Sequence, residues 1–120
     1  KFNGMPELHS LTPTLTILQK KGYKVGLVTD GRMSGASGKV PAAIHLTPEA
    51  YDGGLISKIQ TGDLIRLYSE HVIIEVLNGS DVAQRAAIQK DNSQFHFGRE
   101  LFAKLRAGVS MSEEGASFII

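Results

Sequence analysis

Residues Val28 to Lys39 read Val-Thr-Asp-Gly-Arg-Met-Ser-Gly-Ala-Ser-Gly-Lys, and this stretch concentrates the groups that can do chemistry. It holds serine hydroxyls at Ser34 and Ser37, a carboxylate at Asp30, and cations at Arg32 and Lys39. Glycines at 31, 35 and 38 separate them. Glycine permits positive φ and lets backbone N–H groups approach a ligand closely. Such a loop can hold an anionic small molecule against a hydroxyl. A glycine-rich surface loop that only turns the chain fits the composition equally well.

Standard loop motifs do not fit. A Walker phosphate loop needs Ser or Thr after Gly-Lys and a glycine five places before its second glycine. Here Val40 follows Lys39, and Met33 stands where the first glycine belongs. The dinucleotide fingerprint needs Gly-x-Gly, but Gly31 is followed two places on by Met33. Neither Ser34 nor Ser37 has the flanking glycines of a Gly-x-Ser-x-Gly elbow.

The neighbouring residues predict the elements that hold this loop. Thr12 to Lys21 reads as a helix: Thr12 suits the N-cap, Pro13 the first helical position and Gly22 the C′ position. Leu11, Leu15 and Leu18 fall at helical spacing, which predicts one buried face. Tyr23 to Thr29 reads as a strand, with Val25, Leu27 and Val28 apolar. In such an α/β arrangement ligands gather beyond the carboxyl ends of strands, and the loop from Asp30 to Lys39 is expected at such an end.

Further along, Pro41 to Ile44 is short and apolar, and Thr47-Pro48-Glu49-Ala50 suggests a turn or a single helical turn. Asp52-Gly53-Gly54 breaks the chain, and Leu55 to Ile59 suits a short strand or turn. Leu64 to Tyr68 and Val72 to Leu77 predict a hairpin that forms sheet core, joined through Ser69-Glu70-His71. After Asn78-Gly79, Ser80 or Asp81 is expected to cap a peripheral helix over Val82 to Lys90. Asp91 to Gln94 reads as a polar linker. A last helix is expected from Arg99 to Ala107, with Leu101, Phe102 and Leu105 on one face and Gly108 as its stop. The apolar tail Phe118-Ile119-Ile120 is suited to pack on the domain or on a partner subunit.

Composition narrows the classes of function. The 120 residues are one domain's worth, 42% hydrophobic and 21% charged. With 13 basic against 12 acidic residues, net +1, there is no cationic excess to neutralise many phosphates, so no nucleic-acid partner is expected. No apolar run approaches the ~20 residues of a membrane span, and Lys1-Phe2-Asn3 runs straight into Gly4 and Pro6 without a secretory leader pattern. Zero cysteines exclude disulfides and thiolate metal sites within this chain. A cytoplasmic protein with neither a membrane nor a nucleic-acid partner is the expectation. The four histidines show no ligand spacing with one another.

Several stretches carry a family resemblance. Thr29-Asp30-Gly31-Arg32-Met33-Ser34-Gly35, with Gly4-Met5-Pro6-Glu7 and Thr47-Pro48-Glu49-Ala50, resembles the C-terminal part of the dihydroxy-acid dehydratase and phosphogluconate dehydratase family. The run from Ser34 to His45 is similar to the phosphogluconate branch. So is Gly98-Arg99-Glu100-Leu101-Phe102 with Val109-Ser110, Glu114 and Gly115-Ala116. The resemblance is close over 1–63 and 98–117 and weak over 64–97.

The resemblance implies an α/β fold: a swivelling β/β/α domain, like the mobile domain of aconitase, built around a small β-barrel-like sheet and spanning residues 1–120. It implies that the chain is the C-terminal fragment of a longer hydro-lyase acting on 6-phospho-D-gluconate in the Entner–Doudoroff pathway. A dihydroxy-acid or sugar-acid dehydratase, or a non-catalytic swivel module, is the alternative. A 4Fe-4S cluster bound by the N-terminal part is implied as the Lewis acid for the leaving hydroxyl, with Mg2+ or Mn2+ as an optional divalent metal. The implied partners are a phosphorylated sugar acid, the N-terminal domain of the same enzyme, and a second copy in a homodimer.

Individual roles follow in the same way. Ser34 stands at the position of the family's base, acting as an alkoxide, and Glu7 at that of a metal ligand or substrate contact. Arg32 suits a bidentate contact to a carboxylate. Ser37 and Lys39 are the branch-specific positions, where a hydroxyl and a point charge can meet a phosphate. Each has a plainer alternative: an exposed acid near a helix start for Glu7, a loop hydroxyl for Ser34, a solvated cation for Arg32. Asp30 is expected to brace the loop by accepting backbone N–H bonds.

Overall fold

Pro13 in the first turn and Gly22 at φ +90° bracket helix α1 (Thr12–Lys20), as the N-terminal proline and C-terminal glycine preferences require. The computed structural model describes residues 8–33, 38–68, 70, 71, 73–88, 98 and 100–119. The expected cap is corrected. Leu11, not Thr12, is the N-cap residue, at the end of a 3-10 turn (His9–Leu11), and it makes no side-chain cap bond. The Thr12 hydroxyl donates instead to Met33 Sδ at 3.4 Å. The expected buried face is corrected in part. No residue of α1 is fully buried: on the expected face Leu15 and Leu18 are half-buried and Leu11 is exposed.

Strand β1 (Leu27–Val28) runs parallel to β2 (Ala42–Ala43), with Leu27 opposite Ala42 and Val28 opposite Ala43. The predicted strand from Tyr23 shortens to these residues for a backbone reason. Pro41 accepts the Leu27 N–H at 2.9 Å but has no N–H to offer upstream, so the ladder starts there. The segment 29–41 makes the crossover that a parallel pair requires.

Strands β3 (Ile65–Tyr68) and β4 (Ile73–Val76) form the expected antiparallel hairpin, pairing Ile65 with Val76 and Tyr68 with Ile73. Its burial alternates: Ile65, Leu67, Ile74 and Val76 are half-buried, while Arg66, Tyr68, Ile73 and Glu75 face solvent. The hairpin therefore has one inner face, half-buried, and supplies the expected sheet core through that face only.

Helix α2 (Gly79–Gln84) starts earlier and ends earlier than expected, and neither Ser80 nor Asp81 caps it. Arg85 leaves it in an extended conformation, φ −71° and ψ 150°, and its guanidinium grips Asp63 by two bonds of 2.6 and 2.9 Å. Nor is the helix peripheral: Val82 is fully buried at 0% exposure. Helix α3 (Ala103–Ala107) is shorter than expected, and Leu101, Phe102 and Leu105 are all exposed. The linker 91–94 lies outside the described residues.

The result is a small mixed α/β structure. Among the described residues its strands form two separate two-stranded ladders. The closed, barrel-like sheet expected from the resemblance is not formed among them. Their buried hydrophobic side chains are Met33, Val40 and Val82, and the first two flank the glycine-rich loop.

Candidate functional site

The loop grows out of β1, and its root is fastened by successive bonds. The Thr29 N–H donates to the Ala43 carbonyl at 2.9 Å, continuing the parallel ladder. The chain beyond β2 then stays alongside: His45 N–H donates to the Gly31 carbonyl at 2.9 Å and Leu46 N–H to the Thr29 carbonyl at 3.3 Å. Gly31 N–H donates to the Thr29 hydroxyl at 2.9 Å. Gly31 is closely approached: an added Cβ would lie 3.2 Å from Thr29 Oγ1 and 3.3 Å from Leu8 Cδ1, so these side chains would have to give by a few tenths of an ångström.

Asp30 Oδ2 accepts the backbone N–H of Ala50 at 2.8 Å. This matches the bracing role read from the sequence, with the partner lying in the Thr47-Pro48-Glu49-Ala50 turn. That turn contains a cis Thr47–Pro48 peptide and leads into a 3-10 turn (Ala50–Asp52). It is packed tightly from below, since a Cβ on Gly54 would collide with the Pro48 carbonyl. Arg32 accepts the Leu8 N–H on its carbonyl at 3.2 Å. The loop root thus joins the Leu8–Thr12 segment, residues 29–33 and the 45–50 turn. Thr47 adds a fourth segment, donating its hydroxyl to Glu113 Oε2 at 2.9 Å.

Both ends of the loop are set by buried apolar side chains. Met33 is 8% exposed and touches the Thr12 hydroxyl; Val40 is also 8% exposed. Arg32 and Lys39, each next to one of these anchors in the chain, are exposed. The other three candidate residues, Glu7, Ser34 and Ser37, lie outside the described residues.

Two features were not anticipated from the sequence. Glu49 is buried at 4% exposure beside the Asp30–Ala50 bond, and its carbonyl accepts the Asp52 and Gly54 N–H groups. Its only signal was membership of the Thr-Pro-Glu-Ala stretch. The second is the Asp63 centre. Besides Arg85, Asp63 accepts the Gln60 N–H at 2.7 Å and the Asn78 side-chain amide at 3.1 Å. These bonds, Arg85 first, hold its carboxyl well below the usual carboxylate range, and Asp63 in turn raises the Arg85 guanidinium. The centre ties the hairpin to α2 and is structural. Lys58, in the 3-10 turn Leu55–Lys58, holds α2 as well, its Nζ donating to the Ala83 carbonyl at 2.7 Å.

Among the described residues no group of three or more His, Cys, Asp and Glu could hold a metal ion. No helix among them is long and apolar enough to cross a membrane.

Comparison with known proteins places this loop in context. Residues 1–116 match the family described as Dihydroxy-acid/6-phosphogluconate dehydratase C-terminal. The chain is 51% identical to a phosphogluconate dehydratase of Rhizobium meliloti over 99% of its length and 20% of that relative. It is 50% identical to a phosphogluconate dehydratase of Escherichia coli K12, with the same coverage of both. With a dihydroxy-acid dehydratase of Wolinella succinogenes the identity is 43%, over 77% of this chain and 15% of the relative. The chain thus spans about one fifth of the phosphogluconate dehydratases it matches. It belongs to the dihydroxy-acid/6-phosphogluconate dehydratase family, in its C-terminal domain.

Proposed function

We propose that this chain is the C-terminal part of a hydro-lyase that converts 6-phospho-D-gluconate to 2-dehydro-3-deoxy-6-phospho-D-gluconate and water, a step of the Entner–Doudoroff pathway. The observation that supports this most is the 50–51% identity to phosphogluconate dehydratases across 99% of the chain. The dihydroxy-acid relative matches a smaller share, at lower identity.

Ser34 takes the proton from the carbon beside the carboxylate. The C–H electron pair forms the double bond to the next carbon as its hydroxyl is expelled; that hydroxide and the proton taken by Ser34 together make up the water released, and the resulting enol tautomerises to the 2-keto acid. An ordinary hydroxyl is a poor base, so the Ser34 oxygen needs a neighbouring positive centre to carry its negative charge. Arg32 meets the substrate carboxylate, and Ser37 and Lys39 meet the phosphate through charge-assisted bonds. The held loop ends favour this division of work, because a base must stay within hydrogen-bond reach of the proton it removes.

Iron–sulfur clusters are usually ligated by cysteine. This chain has none, and its described residues form no metal-ligating group. They do not fit a 4Fe-4S cluster, which would belong to the part of the longer protein beyond this chain. Glu7 would contribute a single carboxylate toward Mg2+ or Mn2+. The proposal extends to a swivelling β/β/α domain over residues 1–120 like that of aconitase, to a cytoplasmic homodimer, and to contact with the N-terminal domain.

The test is turnover by the full-length protein. Formation of a 2-keto acid from 6-phosphogluconate, faster than from a branched-chain dihydroxy acid or an unphosphorylated sugar acid, is expected. Preference for the dihydroxy acid would assign the sister activity, and no turnover of any of the three would leave a binding module.

A further inference from the structure

From the apolar face left open at the C-terminal end, we infer a docking surface for the rest of the same polypeptide. This inference rests on the reading that the chain belongs to a longer dehydratase. Leu101, Phe102 and Leu105 share one side of the α3 region at i, i+1 and i+4, and they are 76, 55 and 48% exposed. The tail brings two more apolar side chains to the same end. Ser110 N–H donates to the Ser117 carbonyl at 2.9 Å, and Ser117 N–H returns a bond to the Ser110 hydroxyl at 3.1 Å. The tail therefore folds back beside the residues that follow α3, and its Phe118 and Ile119 are 59 and 79% exposed.

Scattered exposed apolar residues are ordinary, but a cluster of large ones marks a contact surface. Two observations choose its occupant. The matched relatives are about five times as long as this chain, so most of the polypeptide that could cover the face lies beyond it. The described residues bury few hydrophobic side chains of their own. Apolar surface left open in this way is what a domain presents to the body it packs against. The face is also tied to the candidate site, because Glu113, in the turn between α3 and the tail, accepts the Thr47 hydroxyl. Docking here fixes the 45–50 turn, and through Ala50 and Asp30 the loop root, relative to the rest of the enzyme.

The test uses the full-length protein with single substitutions Leu105→Cys and Ile119→Cys, and Glu70→Cys in the exposed hairpin turn as reference. Labelling by a maleimide is followed peptide by peptide with mass spectrometry. Positions 105 and 119 are expected to react about 100-fold or more slowly than position 70 in the native protein, because a covered site reacts only through local opening. All three should react alike in denaturant. Native rates within a few-fold of position 70 would overturn the inference. So would protection that vanishes on dilution to monomer, or Leu105→Cys disulfide-linked dimers, either of which would assign the face to a second copy. Labelling needs no turnover, so protection in a protein without dehydratase activity would sink only the functional reading. Free labelling in an active enzyme would sink only the docking.

Discussion

The Asp30 carboxylate and the Ala50 backbone N–H lie 2.8 Å apart, joining the root of the glycine-rich loop to the turn after β2. The bond needs an acceptor at position 30, not a charge. In the full-length enzyme Asp30→Ala is expected to lower kcat by about 10²-fold through misplacement of the loop, and to raise KM as well, because the same loop carries Arg32 and Lys39. Asp30→Asn keeps an acceptor oxygen and should recover most of the rate. Steady-state kinetics on the two variants decide: an undiminished Asp30→Ala enzyme contradicts the brace, and equal losses in both would assign the effect to charge.

The loop was legible because its signal is local: glycines, hydroxyls and cations interleaved over a short run. The α1 limits were legible from Pro13 and Gly22, and the hairpin from its apolar runs. What escaped is non-local. Ala42–Ala43 has no strand propensity to advertise and becomes β2 only by pairing with Leu27–Val28. The end of α2 is set by Asp63, distant in sequence from Arg85. The predicted face of α1 is half-buried at Leu15 and Leu18, and that of α3 is exposed, because periodicity says which side is apolar, not how far this chain covers it. Glu49 looked like a turn residue, and its burial depends on how the 45–54 segment packs.

The Asp63 centre predicts acid sensitivity. Its carboxyl is held below the ordinary range in the folded state, so the unfolded state takes up a proton first as pH falls. The stabilisation is complete above the unfolded carboxylate value of about 4 and is lost as pH falls below it toward the folded value. Asp63→Asn should therefore destabilise the protein at pH 7, and the gap to wild type should narrow at pH 3. Hydrogen exchange of the β3–β4 amides at the two pH values measures it. A gap that stays constant would mean that the pair contributes nothing through ionisation.

Gly54 is predicted to resist substitution for a steric reason. An added Cβ would collide with the Pro48 carbonyl, a backbone atom that cannot swing aside. Gly54→Ala is expected to cost about 1–3 kcal/mol, the usual range for overpacking. Amide exchange through the 45–54 turn should rise accordingly. Unchanged exchange would show that the turn opens to admit the methyl group.

Lys39 carries the phosphate part of the proposal. A charge-assisted contact is worth roughly 1.5–3 kcal/mol, or about 10-fold to 150-fold in affinity. Lys39→Ala should raise KM for 6-phosphogluconate by such a factor and leave an unphosphorylated sugar acid nearly unaffected. Equal losses on both substrates would remove the phosphate role.

Proton removal by Ser34 is the central claim. Ser34→Ala in the full-length enzyme should lower kcat by at least the ~10²–10⁴-fold typical of losing a general base, while substrate binding and cluster content persist. Exchange of deuterium from solvent into the carbon beside the carboxylate reads that proton directly, once exchange by the wild type has been detected. The account predicts that Ser34→Ala abolishes this exchange, and exchange at the wild-type rate would contradict it.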